Sequence, residues 1–249
     1  MMQKRWTTLY RSLADLLMPR LCCGCGQRLA LDEQLVCAGC QMALPLETNH
    51  DWAYNQRMNR WAAHKRLVRM GALTRYEHGN IAANIIHELK YHRRPELGLW
   101  MGRVAVAMLG DTGLFEGVDA LVPLPLTRAR KRFRGFNQSE QIAKGMGEAL
   151  GIPVLTNVLR RTVERESQTH FSLHDRLENA QRVFDVDEVD KLDNQHIMLV
   201  DDVMTTGTTM LGAVEVLEER TDVRLSCFTW AWVTLSKHSM ASSTADVHT

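Results

Sequence analysis

Apolar residues along this chain change their period several times, and each change marks an element. Ile197-Met-Leu-Val200 is four apolar residues in a row, which suits a strand buried on both faces of a parallel sheet. Ala120-Leu-Val122 reads as a second short buried strand ending in Pro123-Leu-Pro125, and Gly71 to Tyr76 as a third. Elsewhere the period lengthens. Ile81, Ile85, Ile86 and Leu89 fall on one face of a helix over Ile81 to Tyr91; Leu97 to Leu109 and Gln138 to Leu150 predict two more. From about Val68, strand and helix patterns therefore recur in the manner of an α/β domain. Upstream, Trp6, Leu9, Leu13, Leu16 and Leu17 are spaced as one face of a short amphipathic helix, for which the protein's own core is preferred over a membrane as docking surface. Residues 45–66 lose periodicity and read as a connector with one short helix, and the polar residues after Lys237 read as a disordered tail. The expected divisions are 1–66 for an N-terminal helix, a cysteine-bearing module and the connector, 67–237 for the α/β domain, and 238–249 for the tail.

Charge changes the picture only locally. Thirty Lys and Arg against 29 Asp and Glu leave a net charge of +1, so affinity for nucleic acid or a membrane must come from a patch and not from the whole surface. No stretch is apolar and long enough to span a bilayer, and Arg11 and Asp15 interrupt what would be the core of a signal peptide, so a cytoplasmic location is expected.

Five of the six cysteines lie between residues 22 and 40, as Cys22-x-x-Cys25 and Cys37-x-x-Cys40 plus the spare Cys23. Each pair places two thiolates on one metal, and two pairs complete the closed tetrahedral site that structural zinc prefers. Two disulfides are the competing reading, disfavoured in a reducing compartment. A Cys23–Cys25 ligand pair is a less usual alternative. Gly24, Gly26 and Gly39 suit tight turns around the sulfurs. Four cysteines leave His50 and His64 as surface or packing residues and Cys227, in an apolar run, as core.

The strand at Ile197 leads into Asp201-Asp202-Val-Met-Thr205-Thr206-Gly207-Thr208-Thr209 and then a helical pattern. Backbone N–H groups and hydroxyls at a helix N-terminus favour a phosphate there. Two carboxylates at the strand's C-terminal end can accept hydrogen bonds from a sugar diol next to it. A phosphate beside a diol describes a ribose 5-phosphate group. The bland alternative is a solvated acidic pair and an ordinary threonine cap.

A second segment, Thr127 to Gln138, holds five cations in seven positions: Arg128, Arg130, Lys131, Arg132 and Arg134. As a glycine-containing loop after a strand it suits a pyrophosphate. It also suits a solvated basic turn, or a single-stranded DNA surface with Phe133 and Phe136 available for stacking.

The stretch from Ile197 to Thr209 resembles the phosphoribosyl-pyrophosphate (PRPP) signature of type I phosphoribosyltransferases. With Val122-Pro-Leu-Pro125, Arg134-Gly-Phe-Asn-Gln138, Lys90-Tyr91 and the spacing of Gln168, Arg176, Asn179 and Phe184 behind a four-cysteine N-terminus, residues 16–235 resemble the ComF/GntX family. Arg165 and Phe171 stand where that family commonly has Thr and Leu. The resemblance implies a type I phosphoribosyltransferase-like parallel sheet flanked by helices, with a small N-terminal zinc module of Cys22, Cys25, Cys37 and Cys40. It implies that Asp201 and Asp202 hold the ribose hydroxyls, directly or through Mg²⁺, and that Thr205, Thr206, Gly207, Thr208 and Thr209 cradle the 5-phosphate. Pyrophosphate would face the loop after Val122 with Arg134 as a contact. Residues from Arg160 to Arg182, including Gln168, Arg176 and Asn179, would form a hood closing over the site. It also implies a link to natural competence, with DNA-uptake machinery or single-stranded DNA as partners and a place at the inner face of the membrane through them. Three functions follow: a non-catalytic PRPP-binding module, an active phosphoribosyltransferase with an unknown nitrogen acceptor, or a DNA-handling adaptor. Type I phosphoribosyltransferases acting on 6-oxopurines usually have an Asp at the position of Thr205; a threonine cannot replace it as general base, which counts against purine salvage.

Overall fold

The computed structural model describes residues 19–233 except 54, 56, 57, 60, 163–182, 188, 190, 191 and 193. The expected N-terminal helix, the tail and most of the hood, with Gln168, Arg176 and Asn179, lie outside the described residues. Four strands form one all-parallel sheet: β1 (Leu67–Tyr76), β2 (Ala120–Pro123), β5 (His196–Met204) and β6 (Arg224–Val233), in the order β1-β6-β5-β2. Nearly every residue of β2, β5 and β6 is buried, as strands covered on both faces of a parallel sheet must be. A separate antiparallel pair, β3 (Leu159–Arg161) and β4 (Phe184–Val186), lies beside the sheet.

Helices cover both faces. On one, α2 (Ile81–Tyr91), α3 (Pro95–Leu109) and α5 (Gln138–Leu150) bury Ile85, Leu89, Leu97, Met101, Ile142 and Met146 against Leu121, Met198, Val200, Phe228 and Trp230. α3 and α5 touch backbone to backbone, since a Cβ on Gly102 would collide with Ile142 O and one on Gly145 with Leu99 O. On the other face α6 (Thr208–Arg220) buries Met210, Ala213, Val214 and Leu217 against Val122, Ile197, Leu199 and Cys227, sharing a core with Phe184 of β4. The fold is a type I phosphoribosyltransferase-like sheet between helical layers.

The cysteine module, with its one short helix α1 (Ala38–Met42), is docked on this domain. Cys22, Val36, Leu44 and Trp52 belong to the same apolar cluster as Ile85 and Leu89. Asn84 Nδ2 donates to Gly24 O (2.8 Å) and Arg94 Nη1 to Cys23 Sγ (3.2 Å). The connector is more ordered than its lack of period suggests: Glu47 N–H donates to Leu73 O, Met70 N–H to Trp52 O, and Asn55 Nδ2 to Met70 O. No described helix is long and apolar enough to cross a membrane.

Candidate functional site

β5 runs to Met204, past the apolar residues that predict it, and carries Asp201 and Asp202 at its C-terminal end. Neighbouring residues on a strand point opposite ways, so the pair finds different partners. Ser139 Oγ, in the first turn of α5, donates to Asp201 Oδ1 at 2.8 Å, and the Asp202 N–H donates to the same oxygen at 2.8 Å. Lys90 Nζ, at the end of α2, lies 3.1 Å from Asp202 Oδ2 with both side chains largely buried. Asp202 therefore has a cation and Asp201 has only neutral donors.

That asymmetry sets their chemistry. Part of Asp201 reaches the open end of the strand, yet protein surrounds its carboxyl. Desolvation and then the Asp202 charge push it up to about 7, against the pull of Ser139, the Asp202 N–H and Lys90. Raised above its unfolded value, this group contributes stability that is complete below the ordinary aspartate value of ~4 and is lost as pH rises through about 7. Asp201→Asn, free of that titration, will therefore melt above the wild type by a margin that grows from pH 4.5 to 8. The measurement is thermal unfolding in magnesium-free buffer without ligand. The margin should reach several degrees, at roughly 2–4 °C per kcal/mol for a chain this size; a margin independent of pH would show that the carboxyl is not held up.

After Met204 the chain turns through exposed Thr205 and Thr206 to Gly207, then starts α6 with exposed Thr208 and Thr209. Gly207 caps α6 without a side chain, so the first N–H groups of the helix face outward with only a long 3.5 Å contact from Thr208 N–H to Thr206 Oγ1. This end of α6 can hold an anion. Gly207 has φ +86°, and a Cβ there would sit 2.7 Å from Trp61 Cζ2, so the turn requires glycine twice over. Trp61, in the connector, is thus part of the loop's support, a role for which the sequence gives no signal. His64 and Arg66 tie the same connector to Glu218 near the far end of α6, through His64 Nδ1 (2.7 Å from Oε2) and the Arg66 N–H (3.0 Å to Oε1).

The basic segment is not the loop expected from its glycine and charge. Arg128–Arg134 form helix α4, because Thr127 Oγ1 caps its start by accepting from Arg130 N–H (3.2 Å) and Gly135, at φ +85°, ends it. A helix spreads its side chains radially, so the five cations cannot converge on one phosphate. Arg130 and Arg134 share one face and Arg128 and Arg132 another. Arg134 Nη1 donates to Gln138 Oε1 at 2.8 Å, which ties it back to α5. On the outer side Phe133 and Tyr91 are largely exposed, with rings edge to face at 6.4 Å, and His87 lies 4.6 Å from Tyr91.

Cys22, Cys25, Cys37 and Cys40 converge, their sulfurs all within 4.8 Å of one another, while Cys23 lies outside the cluster. Cys25 and Cys37 Sγ are 3.9 Å apart, far beyond a disulfide and close to the ~3.8 Å between sulfurs around a tetrahedral zinc. Backbone donors aim at the sulfurs: Gly24 and Cys37 N–H at Cys22 Sγ (3.3 and 3.2 Å), and Cys40 N–H at Cys37 Sγ (3.4 Å). Burial alone would raise the Cys22 thiol, but these N–H groups outweigh it and draw it down to about 7. Burial and then the crowding sulfurs push Cys40 up. Donors prepared for thiolates, held where thiolates repel one another, fit a cation at their centre. His50 stacks on Trp52 with centroids 5.0 Å apart, and His64 is taken by Glu218, so neither histidine joins the cluster.

The chain matches the family model for the phosphoribosyl transferase domain over residues 122–229, from β2 to the middle of β6. It is 29% identical over 137 residues to the DNA utilization protein YhgH of Salmonella typhimurium, covering 53% of this chain and 59% of that one. It is 32% identical over 93 residues to competence protein F of Haemophilus influenzae, covering 37% and 41%. With the Escherichia coli DNA utilization protein YhgH it shares 25% identity over 217 residues, 81% of this chain and 92% of that one. The first of these matches thus span about three-fifths or less of the relatives' lengths.

Proposed function

We propose that this chain, which is similar to proteins of the ComF family, is a PRPP-binding, phosphoribosyltransferase-like protein that serves DNA uptake or utilisation in the cytoplasm. One observation carries the reading: an acidic pair at the end of β5 stands beside the open N-terminus of α6. In this reading Asp201 and Asp202 take the ribose hydroxyls and Thr205 to Thr209 take the 5-phosphate. Mg²⁺ bound with PRPP would supply positive charge to the diphosphate. The four cysteines hold a structural zinc with no open position. Residues 1–66 then form the module and connector and 67–237 the binding domain. Thr205 offers no proton acceptor near neutral pH, which counts against 6-oxopurine bases as acceptors. Calorimetric titration of the zinc-loaded protein with PRPP and Mg²⁺, beside the Asp201→Asn/Asp202→Asn variant, tests it; a folded wild type that takes no PRPP overturns it. Turnover of PRPP with any base would move the protein to the transferases.

A second reading, single-stranded DNA handling, draws on the outer side of α4. Exposed Tyr91 and Phe133 form a stacking platform among the cations of α4 and Arg93. Alanine substitution at such a base–aromatic contact costs about 1–3 kcal/mol, so Phe133→Ala should weaken a short oligothymidylate roughly five- to a hundredfold and leave PRPP titrations unchanged. Fluorescence anisotropy at two salt concentrations reads the effect. An unchanged affinity removes Phe133 from any DNA surface.

A further inference from the structure

Connector residues 61–66 meet α6 at both of its ends. They run as linked turns, with the Trp61 N–H donating to Met58 O (2.9 Å), the His64 N–H to Trp61 O (2.9 Å) and the Leu67 N–H to His64 O (3.2 Å). At the start of α6 the buried Trp61 ring packs against Gly207, where a Cβ would sit 2.7 Å from Cζ2 and 3.4 Å from Cη2. At the other end Glu218 meets the same segment twice, through His64 Nδ1 (2.7 Å from Oε2) and the Arg66 N–H (3.0 Å to Oε1). Arg66 Nη1 donates further to Glu218 O (3.2 Å) and Thr221 O, and Nη2 donates to Asp222 Oδ1. Gly207 and Glu218 stand roughly 16 Å apart along the helix axis, at about 1.5 Å per residue. One short segment therefore straps nearly the whole of α6.

The strap bears on the turn that starts the helix. Gly207 is buried, while Thr205, Thr206, Thr208 and Thr209 around it are exposed. The turn thus presents its hydroxyls outward and seats its glycine on the indole. Met204 Sδ, 3.4 Å from the same Cβ position, completes the seat. The ring is itself packed in one core with Met204, Met210 and Val214, so the seat is firm. Polar contacts hold the turn less firmly. No side chain caps α6, the Thr208 N–H reaches Thr206 Oγ1 only at 3.5 Å, and the Thr206 and Thr208 hydroxyls bond each other at 2.9 Å. The direction of the first N–H groups of α6 is therefore set by packing from the inner side.

We propose that Trp61 is a positioning residue for the 5-phosphate: through the strap it aims the start of α6 at the anion without touching the ligand. The assignment rests on the ribose-phosphate reading of the pocket and deepens it. It gives the connector a part in ligand affinity, since the segment that leads from the cysteine module to β1 also backs the phosphate turn. Glu218, at the far end of α6, is the strap's second anchor.

Titration of the zinc-loaded full chain with ribose 5-phosphate and with PRPP tests this, both with Mg²⁺ and below the melting range of each variant. Trp61→Ala should weaken both ligands by the same factor, about tenfold, the worth of one hydrogen bond to a charged phosphate. Trp61→Phe, which keeps a ring in the seat, should recover part of the loss. Glu218→Gln loosens only the far anchor and should show a smaller loss of the same kind. Gly207→Ala combined with Trp61→Ala should lose less than the product of the two single losses, because the added methyl then has no ring to meet. A merely structural tryptophan would lower the melting temperature and leave the affinity of the folded variants unchanged. That result, a loss confined to PRPP, or independent losses in the double variant would overturn the assignment while leaving the pocket intact. If Trp61→Ala fails to fold, unchanged affinity in both Trp61→Phe and Glu218→Gln overturns it equally. A wild type that binds neither ligand would overturn the ribose-phosphate reading and this assignment with it.

Discussion

Replacing Asp201 and Asp202 together by asparagine will weaken PRPP binding by at least a hundredfold and leave the fold in place. The size follows from the bonds at stake. A hydrogen bond to a charged group contributes about 1.5–3 kcal/mol, and two such bonds to a diol come to roughly 3 kcal/mol or more. Asparagine is nearly the same shape as aspartate. Its amide oxygen at position 201 could still accept from Ser139 Oγ and from the next backbone N–H, so the strand end should keep its geometry. The single variants separate function from stability. Asp201→Asn removes a carboxylate that burial and Asp202 both disfavour, so the ligand-free protein should become more stable. Asp202→Asn strips the charge from a pair in which Lys90 Nζ sits 3.1 Å away and largely buried, and a broken buried pair commonly costs about 3–5 kcal/mol. Opposite shifts in melting temperature with losses of PRPP affinity in both would mark the pair as kept for binding. If both singles destabilise and PRPP affinity is untouched, the acidic pair is structural.

The residues of this site differ in how readily the sequence discloses them. Asp201, Asp202 and the Thr/Gly turn are contiguous, so their chemistry and the apolar strand before them are visible in one reading. The four cysteines are visible for the same reason, and the structure brings them together. The partners that set the carboxylates' charge come from elsewhere: Ser139 from the start of α5 and Lys90 from the end of α2. Lys90 shows only as part of a family resemblance, and Ser139 gives no signal beyond its place in the first turn of a predicted helix. Trp61 sits in a segment without period, and only the positive φ of Gly207 and the ring against it reveal its role. The β3–β4 hairpin has three-residue strands, too short for any alternation to register, so nothing separates it from the rest of the expected hood. The helix at Arg128 is signalled by ordinary start and stop residues, Thr127 and Gly135, but the density of charge between them suggests a loop instead.

Cys37→Ser will cost the protein its metal and the order of its N-terminal module. Metal analysis of freshly purified wild type should give one zinc per chain, and the variant none. The substitution isolates the metal's contribution, because Cys37 also caps helix α1 by accepting from Cys40 N–H through its side chain. A serine hydroxyl is a good helix cap and can take over that bond, so loss of order cannot be ascribed to the cap. Cys23→Ser is the control. Cys23 is buried and accepts from Arg94, but it lies outside the four-sulfur cluster, so its variant should keep the zinc. Structural zinc contributes on the order of 10 kcal/mol to a small module, far more than the few apolar side chains of residues 19–44 supply. The damage should not stop at the module. Cys22, Val36 and Leu44 share one apolar cluster with Ile85 and Leu89 of α2, the helix that delivers Lys90 to Asp202. Uncovering that face should loosen α2 and weaken PRPP several-fold through Lys90, with proteolysis before residue 67 as the direct sign that the module has come away. Zinc-free wild type that resists proteolysis and binds PRPP normally would show that the four cysteines hold no metal the fold depends on.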